Sequence, residues 1–218
     1  MTADLDFQRA RSPEQREARR RAILGVAAEL LAEMPLSEIS LRELARRVGL
    51  SKTNVVRYFE TREAVFFALL NQEIDDWLTV LPAELPTGSP LPFADALAAS
   101  LARRPLLCEL WSALGTELER NISADTVRDF KITHSALQAR LADLFSVRVK
   151  QLSNENAREL VSLMILLVCG LWPFANPAPA VAEAVSDPRL AHSRVDFPER
   201  LGRALRVTVT GLLALSPA

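Results

Sequence analysis

SLRELARRVGLSKTNVVRYF, residues 40–59, sets two short amphipathic helices either side of a glycine turn. Ser40 with Glu43 three residues later forms a capping box, and Leu41, Leu44, Ala45 and Val48 recur at helical spacing over barely two turns. Gly49 accepts the left-handed backbone that closes a helix, and Ser51 caps the next helix almost at once. That helix, expected over about Ser51 to Phe59, keeps Val55 and Phe59 for the core and leaves Lys52, Thr53, Asn54 and Arg57 projecting elsewhere. A helix-turn-helix needs this order, because its second helix enters a major groove about 12 Å wide while the first holds the phosphates. Between 42 and 57, Arg42, Arg46, Arg47, Lys52 and Arg57 stand against Glu43, a net of +4 and the right sign for DNA.

On the N-terminal side, Ser12-Pro13-Glu14-Gln15 is a helix start, with a serine cap and proline at the first helical position. Ile23, Ala27, Leu30, Leu31 and Met34 form one apolar stripe, and Pro35 stops the helix. Arg9, Arg11, Arg16, Arg19, Arg20 and Arg21 face only Glu14 and Glu17, a basic arm that suits a polyanion. On the C-terminal side, Thr61 caps a fourth helix whose stripe is Phe66, Leu70, Ile74, Trp77, Leu78 and Leu81. Pro82, Pro86, Gly88, Ser89, Pro90 and Pro92 then read as a linker. Further helices are expected near 93–103, 105–120, 123–149, 154–173 and 197–215, with a short one at Ala180–Ser186. Val127, Phe130, His134, Leu137, Leu141 and Leu144 make an apolar seam interrupted by one histidine.

Composition agrees with an all-α fold: 7 glycines and 1 tyrosine in 218 residues, and Ala, Leu, Arg and Glu throughout. The length admits one large domain or a small one joined to a larger one. Residues 1–60 hold 11 Lys+Arg against 9 Asp+Glu, and 61–218 hold 15 against 18, so the front is mildly basic and the rest acidic. Cys108 and Cys169, in a chain read as lacking a secretory signal, are expected to be buried thiols of a cytoplasmic protein. The most apolar run, Leu160 to Trp172, is shorter than the roughly 20 residues that span a bilayer, and reads as a core or interface helix.

At these residues the chain resembles the TetR family of regulators, from the first helix to Leu70, most tellingly in GLSKTNVVRYFETREAVFFALL (49–70). The resemblance implies that Ser51, Lys52, Thr53 and Asn54 approach bases or backbone, that Tyr58 and Arg62 contact phosphates, and that Ser40 and Arg42 touch the backbone. Two positions depart from the family pattern: Val56 replaces a tyrosine common within the recognition helix, and Arg62 replaces a lysine common at the start of helix four. With no hydroxyl at Val56, Arg57 and Asn54 are expected to take a larger share of recognition, being chemically suited to guanine and adenine edges.

The caps, helices and linker divide the chain into a flexible basic-leaning arm over 1–12, a helix-turn-helix DNA-binding domain over 13–60, a connecting helix over 61–81 and a C-terminal domain over 93–218, to which the family likeness assigns effector binding and dimerisation. Its dimer would use the last two long helices, through Leu160, Leu163, Leu167, Leu201, Leu205, Val209 and Leu212, with Gly170, Gly202 and Gly211 allowing close approach. A homodimer also suits the physics of a near-palindromic operator with two half-sites. A pocket for a small, largely apolar effector is implied, with Trp111, Leu114, Phe130, His134, Leu137, Met164 and Trp172 as candidate contacts. The expected function is a repressor that leaves its operator when the effector binds. Nothing in the sequence suggests an enzyme, a cofactor or a metal: there are 2 histidines, no phosphate loop and no metal-spaced His/Cys cluster, and Asp75-Asp76 diverge on a helix.

Overall fold

The computed structural model describes residues 12–120 and 122–215, so most of the basic arm, with Arg9 and Arg11, lies outside the described residues. Among the described residues the regular structure is helical, with no strand: α1 (Pro13–Glu33), α2 (Leu41–Arg47), α3 (Lys52–Val56), α4 (Arg62–Glu84), α5 (Pro90–Ala102), α6 (Pro105–Ala113), α7 (Ala124–Arg148), α8 (Asn154–Ala175), α9 (Pro179–Ala184) and α10 (Phe197–Leu215). The chain divides between Leu69 and Leu70 into two compact units, so the division falls inside α4.

In the first unit, Ser12, Ser40 and Ser51 cap α1, α2 and α3, each side-chain oxygen accepting the backbone N–H three residues on. Gly49 has φ 72°, the left-handed value that a turn this tight requires. Ile23, Ala27, Leu30, Leu36, Ile39, Leu44, Val55, Phe59, Val65 and Phe66 are buried and make up the core. The recognition helix is shorter than the sequence suggests, since regular α-structure ends at Val56 and the amides of Tyr58 and Phe59 both turn back to the Val55 carbonyl.

In the second unit, α10 packs most extensively on α5, and α8 packs on α6, α7 and α10. Phe93 and Phe145 meet edge-on at 5.2 Å, Trp172 and Phe197 at 5.0 Å, and Trp77 and Trp111 at 6.1 Å. A polar network crosses this apolar packing. The Trp77 indole N–H donates to Ser100 Oγ at 2.9 Å, Ser100 bonds Glu84, and Arg104 Nη2 donates to Glu84 Oε1 at 2.8 Å. Burial alone would raise the Glu84 carboxyl, but the hydrogen bonds from Arg104 and Ser100 hold it down at about 2.

Several boundaries differ from the sequence reading for identifiable reasons. Helix α4 continues through Pro82 to Glu84, because Leu81 and Leu85 are both buried and packing outweighs one lost backbone hydrogen bond. Pro90, read as linker, is instead the first residue of α5, where its missing N–H costs nothing. The intervening linker thus shrinks to 85–89, where Gly88 adopts φ 99° and its amide donates to the Arg148 carbonyl. The helix expected over 105–120 stops at Ala113 and widens into a π-turn over Leu114–Leu118, where the Thr116 hydroxyl bonds back to the carbonyls of Ser112 and Ala113.

Helix α8, at 22 residues, is long and apolar enough to cross a membrane by length and composition alone, unlike the shorter run read from sequence. One of its faces, through Ala157, Leu160, Val161, Met164, Val168 and Trp172, is buried in the unit's own core.

Candidate nucleic-acid interface

Val55 and Phe59, both buried, pin the recognition helix, and Arg20 of α1 stacks over the Phe59 ring at 4.7 Å. With the inner face fixed, Ser51, Lys52, Thr53, Asn54 and Arg57 are all exposed on the outer face, and Tyr58 is half-buried at its end. Val56 is exposed to 41%, an apolar side chain on a polar surface. Ser40 and Arg42, at the start of α2, are exposed as well. The Ser40 and Ser51 oxygens accept the amides of Glu43 and Asn54 at 3.1 and 3.2 Å, which leaves each hydroxyl hydrogen able to donate outward.

The charge pattern is narrower than the sequence count of +4. Arg46 forms a fork with Glu43, Nε to Oε2 at 2.9 Å, and this contact draws the Glu43 carboxyl below its ordinary range. Arg47 pairs with Glu33 of α1. Arg42, Lys52 and Arg57 have no ion pair or hydrogen bond among the described residues, so three unneutralised cations surround the exposed polar edge of α3.

Arg62, expected on a phosphate, is turned inward. Its Nη1 lies 3.3, 3.4 and 3.3 Å from the carbonyl oxygens of Leu36, Ser37 and Ile39, and its Nε donates to Glu63 Oε1 at 3.1 Å. Sequence reasoning missed this use, because the carbonyl acceptors lie more than twenty residues back in the chain and carry no side-chain signature.

Residues 23–69 match the family model described as bacterial regulatory proteins, tetR family, and residues 71–215 match that of the tetracyclin repressor-like C-terminal domain. The chain belongs to the TetR family. The head is similar to the HTH-type transcriptional regulator RutR of Escherichia coli K12, 35% identical over 74 residues, which is 34% of this chain and 35% of RutR. It is also similar to EthR of Mycobacterium tuberculosis, 39% identical over 54 residues, 25% of each chain. The chain thus matches about a third or less of the length of these curated relatives. A TetR transcriptional regulator from Rhodococcus sp. RHA1 shares the fold over 91% of this chain and 97% of its own, with TM-score 0.61 and 20% identity.

The TetR-family C-terminal unit holds the effector candidates inside. Trp111, Phe130, His134, Leu137, Met164 and Trp172 are buried and Leu114 is half-buried at the π-turn. Phe130 and His134 lie ring to ring at 4.9 Å, and His134 Nδ1 meets Asn71 Oδ1 at 2.9 Å, a partner that no sequence pattern announced. Trp172 donates to Glu109 at 2.8 Å, whereas the buried Trp111 Nε1 has no partner among the described residues. A separate cavity of about 660 Å³ lies beside α9, lined by Phe174, Val181, Val185, Arg194 and Val195, none of which the sequence singles out as an effector contact. Among the described residues no group of three His, Cys, Asp or Glu side chains is placed to hold a metal ion.

The named dimer residues divide. Leu160, Leu201, Leu205, Val209 and Leu212 are buried within the subunit's own core, and Leu163 and Leu167 are half-buried. Gly202 also serves the subunit: a Cβ there would stand 3.1 Å from Asp95 Oδ1, so it lets α10 approach α5 closely. The outward strips of α8 and α10 instead carry Leu166, Gly170, Val207, Gly211 and Leu215, all exposed.

Proposed function

We propose that this protein is a sequence-specific DNA-binding transcriptional regulator, a repressor that leaves a palindromic operator when a small, largely apolar effector binds. The observation that carries this reading is the outer face of α3: exposed Lys52, Thr53, Asn54 and Arg57, backed by Arg42, with no ion pair among the described residues consuming the three cations. Unpaired cations are free to displace counterions from phosphates, and Asn and Arg offer the paired donor geometry that base edges recognise. The relatives RutR and EthR, each named as an HTH-type transcriptional regulator, support the same reading for the head.

On this account residues 13–60 bind DNA, α4 connects, and the C-terminal unit binds effector and forms a homodimer. The dimer surface is the outward strip of α8 and α10, with Leu166 exposed to 66% and Val207 to 69%; exposed apolar side chains repeated along two packed helices call for a partner. The effector lodges near Trp111, whose buried indole N–H, without a partner among the described residues, suits a ligand with one acceptor oxygen. Effector and DNA then oppose each other by linkage, each weakening the other's affinity by the same factor.

Retention of a randomised duplex pool by the wild type and by the Lys52→Gln/Arg57→Gln double variant tests the DNA reading. The wild type should retain duplexes and the variant should lose them; equal retention by both overturns the assignment of this face.

A further inference from the structure

We infer that Arg62 acts as a positioning residue: it fastens the first turn of α4 to the turn between α1 and α2 and so fixes the presentation of the recognition helix, without touching DNA. This rests on the DNA-binding reading above but assigns Arg62 a different task from a phosphate contact.

The turn concerned, the 3₁₀ segment Leu36–Glu38, is three residues long and makes few backbone hydrogen bonds of its own. It is anchored by apolar side chains at both ends, since Leu36 and Ile39 are buried. The carbonyls of Leu36, Ser37 and Ile39 converge on one point, and Arg62 Nη1 occupies it. On its other edge the guanidinium meets Glu63, Nη2 to Oε1 at 3.0 Å, and both side chains are largely withdrawn from solvent.

A lysine could set its three N–H donors on the carbonyls or on the Glu63 carboxylate but not on both, because they radiate from one nitrogen, whereas the arginine fork places Nη1 on the carbonyls and Nε and Nη2 on the carboxylate. Thr61 caps the same turn, its Oγ1 accepting the Ala64 amide at 3.1 Å, so the start of α4 is fixed from two sides. A cation so engaged has little left for a phosphate. What it contributes is a defined angle between the turn before α2 and the start of α4.

The test compares Arg62→Gln, Arg62→Lys and, as a phosphate-contact control, Lys52→Gln, on the duplex that wild-type protein enriches from a randomised pool. Affinity is read across a salt series at a temperature where each protein is folded by circular dichroism. Lys52→Gln should lower affinity and reduce the salt slope by about 1, as a lost phosphate contact does. Arg62→Gln should lower affinity about tenfold with the slope unchanged and with broader tolerance of half-site spacing, and Arg62→Lys should not restore it. A reduced slope in Arg62→Gln, or full rescue by lysine, overturns the inference.

Should the wild type enrich no duplex, the DNA reading fails separately, and amide exchange at residues 64–67 then decides the fastening. Faster exchange in Arg62→Gln supports it, and unchanged exchange refutes it.

Discussion

His134 Nδ1 and Asn71 Oδ1 are 2.9 Å apart inside the C-terminal unit, one on α7 and one on α4, and the histidine is only 5% exposed. The asparagine oxygen is an acceptor, so it holds the neutral ring with its proton on Nδ1. Burial first, and then the charge of Lys131, push the imidazole down to about 4, with Glu119 opposing. Because the folded value lies below the unfolded 6.5, neutral His134 adds stability that is complete above pH 6.5 and is lost as pH falls through about 4. In denaturant unfolding, the wild type should lose on the order of 3 kcal/mol more than His134→Gln over that window. Parallel pH profiles for the two proteins would remove His134 as the cause.

The head makes a prediction about charge that the bare count of residues does not. Arg46 already faces Glu43, so replacing both with glutamine should leave DNA affinity nearly unchanged. Lys52→Gln alone should flatten the salt dependence by about one phosphate equivalent. If the Arg46/Glu43 double variant weakens binding as much as Lys52→Gln, the division between paired and free cations is wrong.

Much of the fold is legible in the chain itself. Serine caps at Ser12, Ser40 and Ser51 start the helices where the sequence places them, because capping is local chemistry between residues three apart. Gly49 and the inward Val55 and Phe59 follow from the same local rules. Pro82 and Pro90 mislead, since their fate depends on whether Leu81 and Leu85 find a core and on where a helix begins. The packing of α10 is not legible for a related reason: Leu201, Leu205 and Val209 show that the helix is amphipathic, but not that its apolar stripe meets α5 of the same subunit. Arg62 reads as a DNA contact because its charge is visible in sequence, whereas three converging carbonyls are not.

The Trp77–Ser100 contact sets a stability prediction. Ser100 is fully buried and accepts the Trp77 indole N–H at 2.9 Å, so Ser100→Ala leaves that donor unpaired and removes one member of the Glu84–Arg104 network. The cost should be about 1–3 kcal/mol, read as a lowered thermal midpoint. A midpoint unchanged within a degree would mean that the network contributes nothing net.

Two leucines on α8 and α10 separate dimerisation from folding. Leu166→Arg, on the exposed strip, should give a folded monomer by sedimentation with weakened DNA binding. Leu205→Ala, in the core, should instead cost about 2–5 kcal/mol of stability. A Leu166→Arg protein that remains a dimer would place the interface elsewhere.

The most direct test of the regulator assignment is sequencing of the duplexes that purified wild-type protein retains from a randomised pool at low and at moderate salt. A sequence-specific dimeric regulator should enrich one near-palindrome, with two half-sites separated by about one helical turn or more, whose retention falls steeply as salt rises. A retained pool with no enriched sequence at either salt would contradict that assignment.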